Sequence, residues 1–350
     1  HLQLSDVFVY PELDEITGDN DSKDAVSAEC LISNTYEHNH VLIFGDEQFG
    51  KTSLLKQLFM EFHLAGHMPL MMSATEADGN SDQFLRMLTR KVEDFYGPQA
   101  AARYSQAKFE NKIVLVDDLD GVGARGEVIA RVLKNLASQF GKVIITAGER
   151  YEMTIVQSPE AATATERYAQ FKMLGFGYKL RYDLIRRWYQ VGADNVVEFQ
   201  EKVVEAERII NTVLGKGLVP MTAFNTLVLL QSIQTNENQA LVNAGMAQYY
   251  EFMLRQSLLS ARTPHNDYDE IQNFLTQLAW AMYEKGAKNI EIGDLVAFNK
   301  RYSDEYYRKD LMPRLALLER AKILVKTGDV YAFAYSYLDY FFVAKYLATH

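Results

Sequence analysis

Val41-Leu42-Ile43-Phe44-Gly45-Asp46-Glu47-Gln48-Phe49-Gly50-Lys51-Thr52-Ser53 decides how this 350-residue chain is read. Four apolar residues predict a buried strand, and Ser53-Leu54-Leu55-Lys56-Gln57-Leu58-Phe59 predicts an amphipathic helix. Between them lies Gly-x-x-x-x-Gly-Lys-Thr, and strand, glycine loop and helix together are the context in which that spacing carries chemistry. Glycines let the backbone curl so that successive N–H groups face phosphate oxygens. The helix N-terminus adds partial positive charge at the same point. Gly45, Asp46, Glu47, Gln48, Phe49, Gly50, Lys51, Thr52 and Ser53 are therefore the expected phosphate-binding residues. Lys51 is placed to reach the β- and γ-phosphates, and the Thr52 hydroxyl to ligate Mg²⁺.

A second apolar run ends in acid: Lys112-Ile113-Val114-Leu115-Val116-Asp117-Asp118-Leu119-Asp120. A carboxylate at such a strand end holds Mg²⁺ directly or through water, which makes Asp117 the metal candidate. Asp118, one residue further on, is the candidate to polarise an attacking water. A third run, Lys142-Val143-Ile144-Ile145-Thr146-Ala147-Gly148-Glu149-Arg150, changes from apolar to polar at its C-terminal end. Ligands of open parallel sheets bind at those ends, so Thr146 and Arg150 are candidates to sense the γ-phosphate. A surface ion pair is the competing reading of Arg150.

Met68–Ala74 and Gln170–Phe176 add strand signals, and helical periodicity over 84–92 and 128–136 separates the runs. Alternation at this spacing predicts a parallel sheet with helices on both faces over residues 41–177. Residues 1–40 read as a lead-in, with Val7–Leu13 a short strand or extended segment stopped by proline. From 178 to 300 periodic apolar helices dominate, and the change of pattern marks a domain boundary. Over 301–350 a helix, a hairpin around Gly328 and a closing helix suggest a winged-helix unit.

Composition bounds the function. Hydrophobic residues make up 48% and charged residues 23%, as in ordinary globular proteins. No apolar run approaches the roughly 20 residues of a membrane span, and the start has no signal-peptide pattern. One cysteine, Cys30, excludes an internal disulfide and a cysteine-rich metal site. These features suit a cytoplasmic protein without a membrane partner. A net charge of −10 disfavours a general nucleic-acid surface. The chain opens at His1 without an initiator Met, which reads as a fragment or a processed product.

Phosphate loop, helical region and winged helix, in that order, resemble the STAND class of signal-transducing NTPases, near its NACHT and NB-ARC branches. The resemblance covers nearly the whole chain and rests on Gly45, Gly50, Lys51 and Thr52 and on the acidic strand Ile113–Asp118. Leu4–Pro11 looks like the segment preceding the NTPase in many bacterial members, and Phe333–Leu347 is similar to the winged-helix signature of NACHT proteins. The resemblance implies an ATP/ADP-binding switch with Mg²⁺, slow hydrolysis and self-association on activation. It also implies a core excised from a larger bacterial signalling or anti-phage defence protein with effector and sensor domains. Pro220 matches the proline that packs on adenine in this class, though proline also suits a first helical turn. Tyr335 stands where relatives often carry a histidine on the ADP β-phosphate. Its hydroxyl can donate a hydrogen bond but carries no charge, and a packed wing residue is the other reading.

Two further classes compete. An origin-recognition-like AAA+ ATPase also joins an NTPase to a winged helix, and it requires a basic recognition helix and an arginine reaching the γ-phosphate. Tyr340–Leu347 holds one lysine among aromatics, and Arg181, Arg186 and Arg187 are the arginine candidates. A small-molecule phosphotransferase is the weakest, because the residues after 177 suggest no substrate pocket.

Overall fold

Alternate residues of one strand belong to opposite cores. The computed structural model describes residues 3–16, 24–33, 37–149, 151–191, 196–214, 220–235, 250–251, 253–255, 257–259, 261–264, 267–306 and 309–349. In strand β3 (His40–Gly45), Leu42 and Phe44 pack into one hydrophobic cluster, Val41 and Ile43 into another. That is why the run is apolar without alternation: both faces of a largely parallel sheet are covered.

The chain divides into two compact units, 1–207 with 221–226, and 208–220 with 227–350. In the first unit the other strands are β1 (Glu12–Glu15), β2 (Val26–Ser27), β4 (Leu70–Ser73), β5 (Ile113–Asp117), β6 (Lys142–Gly148) and β7 (Ala169–Met173). They lie in the order β2-β1-β7-β3-β6-β5-β4. The pairs β3–β6, β3–β7, β4–β5 and β5–β6 are parallel. β1 runs antiparallel to both β7 and β2. The expected parallel sheet is therefore extended by two antiparallel strands. The short strand or extended segment expected over Val7–Leu13 overlaps β1 only at Glu12 and Leu13; Asp14 and Glu15 gave no strand signal, because Leu13 is the one buried residue of the four.

Helices cover both faces. After a first turn of helix, α1 (Leu4–Val7), α2 (Lys51–Leu64) lays Leu54, Leu55, Leu58 and Phe62 on the Val41/Ile43 face. On the other face lie α3 (Ser81–Tyr96), α4 (Ala100–Gln106) and α5 (Gly126–Gln139). The first unit also holds α6 (Tyr151–Val156), α7 (Pro159–Thr165) and α8 (Tyr178–Gln190).

The second unit is mainly helical, with helices at Tyr268–Glu284, Ile292–Glu305, Leu311–Arg320 and Ser336–Thr349. A three-stranded antiparallel sheet joins β8 (Asn289–Glu291), β9 (Leu324–Thr327) and β10 (Val330–Phe333) in the order β8-β10-β9. Gly328 turns the β9–β10 hairpin with φ of 62°. The short strand β8 was not expected; Ile290 is its one buried residue, too little to register as alternation. Arg314, nearly fully buried, is neutralised by Glu270, donates to Asn299 Oδ1 at 2.8 Å and lies over the Phe274 ring.

Leu115, fully buried in β5 between β6 and the edge strand β4, reports on the first unit. Leu115→Ala is expected to cost about 2–5 kcal/mol through lost burial and a residual cavity. A calorimetric scan should show a lowered first-unit transition.

Candidate functional site

The loop after β3 closes on itself through one lysine. Gly50 caps α2 with φ of 95°, a left-handed conformation that favours glycine, and Gln48 also has positive φ at 64°. Lys51 Nζ donates to Gly45 O at 2.6 Å and to Asp46 O at 3.0 Å, so the ammonium lies across the loop's mouth. Burial pushes that ammonium down from the usual lysine range, against the pull of Asp120, Asp117, Glu47 and Asp118. Leu54 N–H makes the first intrahelical bond of α2, to Gly50 O at 2.8 Å. The N–H groups of Lys51, Thr52 and Ser53 therefore have no intrahelical acceptor and point out of the helix end. Converging N–H groups beside an ammonium form a cradle suited to a polyphosphate.

The acids lie where three segments meet. Asp117 ends β5, and its Oδ2 accepts from Thr52 Oγ1 at 2.6 Å, while its Oδ1 accepts from Thr146 Oγ1 at 2.7 Å. Thr146, wholly buried in β6, also accepts from Asp118 N–H at 3.4 Å. Asp118 has φ of 61°, a left-handed position uncommon for a residue with a side chain. Burial, followed by the neighbouring Asp120 and Asp117, pushes its carboxyl above the usual range, while Lys51 opposes the rise.

Mg²⁺ prefers one or two protein oxygens together with phosphate oxygens and water. Thr52 Oγ1 and Asp117 Oδ2 present such a pair. Among the described residues no group of three or more His, Cys, Asp or Glu side chains is arranged to hold a metal. A cation here would thus depend on phosphate for the rest of its shell.

Of the residues singled out from the sequence, Gly45 to Ser53, Asp117, Asp118 and Thr146 come together in the first unit. Glu47 is exposed, whereas Phe49 is half-buried against the α2-side core. Pro220 and Tyr335 belong to the second unit, and Arg150 lies outside the described residues. Arg181 is no phosphate ligand here. It is 1% exposed and donates to Phe176 O at 2.8 Å. Arg186 and Arg187 line a cavity of about 830 Å³ with Tyr10 and Glu29, and no residue of the phosphate loop lines it.

Sequence reading missed two features. Asp120 accepts from Gly148 N–H at 2.9 and 3.1 Å, fixing the end of β6 against the turn after β5. Its only signal was a third acid in Asp117-Asp118-Leu119-Asp120. Glu149, held low by its ion pair with Lys172, also hydrogen-bonds Asp46, whose carboxyl is pushed up by burial and then by Glu149.

Comparison with known proteins adds a local match and distant structural likenesses. Residues 288–343 match the family model of Novel STAND NTPase 4. No curated protein matches the chain. Among solved structures, a Walker-type ATPase of Pyrococcus abyssi aligns with TM-score 0.43 and 13% identity, covering 90% of this chain and 94% of that one. The Aeropyrum pernix ORC1 protein in complex with DNA aligns with TM-score 0.45 and 11% identity, over 89% and 88%. The Aeropyrum pernix ORC2 protein, solved with ADPNP and ADP, aligns with TM-score 0.42 and 13% identity, over 88% and 89%. The fold is a mostly parallel sheet flanked by helices, and it bears a phosphate loop. Among the described residues no helix is long and apolar enough to cross a membrane.

Thr146→Val is expected to leave Asp117 Oδ1 and the Asp118 N–H without their partner, at roughly 1–3 kcal/mol. Thermal melts should show Thr146→Val destabilised and Thr146→Ser close to wild type.

Proposed function

We propose that the chain binds ATP and ADP at the Gly45–Ser53 loop and works as a regulatory switch NTPase of the STAND type. The observation that carries this reading is Asp117, which joins the Thr52 hydroxyl at the phosphate-loop helix to Thr146 on the neighbouring strand. That arrangement supports reading Thr52 and Asp117 as a cation-binding pair beside the α2 N-terminus, with Thr146, whose hydroxyl is engaged by Asp117 and the Asp118 N–H, linking β6 to it. The match over residues 288–343 supports the family part of the reading.

In this reading the α2 N–H groups bind the β-phosphate, and Lys51 exchanges its two carbonyl acceptors for phosphate oxygens. Thr52 Oγ1 and Asp117 Oδ2 would hold Mg²⁺, which would supply positive charge against the phosphates. Asp118 accepts the proton of the attacking water, a role suited to a carboxylate whose proton affinity is raised. Thr146 holds Asp117 and the Asp118 backbone in register, and Asp120 positions the end of β6. The reading includes Arg150 as a γ-phosphate contact.

Switching follows from a division into a lead-in (1–40), a nucleotide domain (41–177), a helical domain (178–300) and a winged helix (301–350). ADP held also by Pro220 and Tyr335 would pin the later domains, and ATP would release them for self-association. Effector and sensor domains of a larger defence or signalling protein would complete the system. The origin-recognition-like reading requires a basic recognition helix. In Ser336–Thr349 the only basic residue, Lys345, is half-buried and lies over the Phe341 ring. A DNA titration at low and moderate salt separates the two readings, because a DNA-binding machine must show strong salt-dependent affinity.

Lys51→Ala is expected to abolish ATP and ADP binding in calorimetric titrations; undiminished affinity would refute the phosphate-loop assignment. ADP should also raise the thermal midpoint more than an equal concentration of a non-hydrolysable ATP analogue, since a ligand stabilises the state it binds best. A tenfold preference corresponds to about 1.4 kcal/mol. Tyr335→Phe should shrink that preference, and equal protection by both nucleotides would count against an ADP-locked switch.

A further inference from the structure

We propose that Asp46, the residue that follows β3 into the phosphate loop, shares a proton with Glu149, and that loss of this proton weakens phosphate binding. The proposal rests on the reading of Gly45–Ser53 as a nucleotide loop and adds a means of regulating it. Strand order places the groups. Gly45 of β3 is in register with Gly148 of β6, so Asp46 and Glu149 leave neighbouring strands at the same level. β7 and β6 flank β3 on opposite sides, and the ion pair between Lys172 of β7 and Glu149 therefore spans the end of β3, where the loop begins. Glu149 is also hydrogen-bonded to Asp46.

Two ionised carboxylates offer only acceptors, so a hydrogen bond between two acids requires that one of them carry a proton. The ion pair with Lys172 keeps Glu149 anionic, which leaves Asp46 as the donor. Burial and then Glu149 push the Asp46 carboxyl upward, while Lys172 and Lys51 oppose the rise. Those three are the charged groups that face Asp46, from the end of β6, from β7 and from α2, and Glu152 of α6 faces Lys172 in turn. Asp46 reaches solvent, so the proton equilibrates with the medium.

Protonated, Asp46 adds no charge beside Lys51, whose ammonium donates to the Asp46 backbone carbonyl at 3.0 Å. Ionised, it adds a negative charge to a loop already flanked by Glu47, Asp117, Asp118 and Asp120. A polyphosphate repels the ionised form and so raises the proton affinity of Asp46 further. Phosphate binding is then linked to proton uptake, and affinity falls as pH rises through the range in which Asp46 titrates. Glu149 and Lys172 act on phosphate through Asp46 and are positioning residues.

Calorimetric titration of the whole chain with ADP in constant excess Mg²⁺, from about pH 4.5 to about pH 8, tests the linkage. Asp46→Asn keeps a donor toward Glu149 without a titrating proton and serves as the permanently neutral reference. Protonation of ADP itself is common to both proteins and cancels in their ratio. The expected result is equal affinity at the acid end and roughly three- to tenfold tighter binding by Asp46→Asn at the alkaline end, the effect of one nearby like charge in a partly solvated site. Glu149→Gln should move the wild-type fall in affinity to lower pH, because it removes a like charge from Asp46. Lys172→Met should move the fall to higher pH, because it removes the opposing cation. A merely structural ion pair would shift both variants in the same direction, and that outcome would overturn the proposal. So would a ratio of Asp46→Asn to wild type that stays constant across the range. Absence of ADP binding by the wild type at every pH would instead overturn the phosphate-loop reading, and this proposal with it. Should either ion-pair variant fail to fold, the Asp46→Asn ratio decides the matter.

Discussion

One carboxylate ties together the parts of the candidate phosphate site. Asp117 accepts from Thr52 at the start of the loop helix and from Thr146 on the adjacent strand, so both its oxygens are engaged by hydroxyls. A strand end, a helix N-terminus and a neighbouring strand are thereby fixed to one another through two short hydrogen bonds. Hydrogen bonds to an ionised acceptor are stronger than neutral ones. The rest of the site takes its position from this junction. Asp118 is oriented through its N–H contact with Thr146, and Asp120 fixes the end of the same strand.

Electrostatics make the free loop a poised arrangement. Asp46, Glu47, Asp117, Asp118 and Asp120 surround a single lysine from the loop, which is stabilised in place by two backbone carbonyls. Bringing in a polyphosphate adds negative charge to a region already rich in it. Compensation has to come from Lys51, the oriented N–H groups of α2 and a divalent cation. In the proposed reading, a dependence on a cation would follow from this charge balance as well as from the Thr52–Asp117 pair. Glu149 and Lys172 modulate the first residue of the same loop from β6 and β7.

Much of this was readable in the chain. The Gly45–Thr52 spacing, the apolar run before it and the acid ending the next apolar run follow from local rules: glycine conformation, two-sided burial and helix-end electrostatics. The extent of β1 and its antiparallel pairing were not readable. Glu12, Asp14 and Glu15 flank a single buried leucine, and pairing with β7 supplies the hydrogen bonds that its composition does not advertise. Arg181 illustrates the opposite error. A charged residue on an amphipathic helix suggests solvent or ligand, yet packing buries it against Phe176 and Met221.

By itself the sequence determined the local elements: a strand, a loop that curls at Gly50, a helix with an open N-terminus, and acids at the end of a second strand. Those features depend on residues within a dozen positions of one another. Only the tertiary structure decided which acid meets which hydroxyl, because Asp117 and Thr52 lie 65 residues apart and meet through sheet order and register. It also decided that Asp118 takes a left-handed backbone and that Asp120 faces Gly148. Such facts depend on distances between elements, and spacing along a chain does not encode those distances until the sheet has brought the elements together.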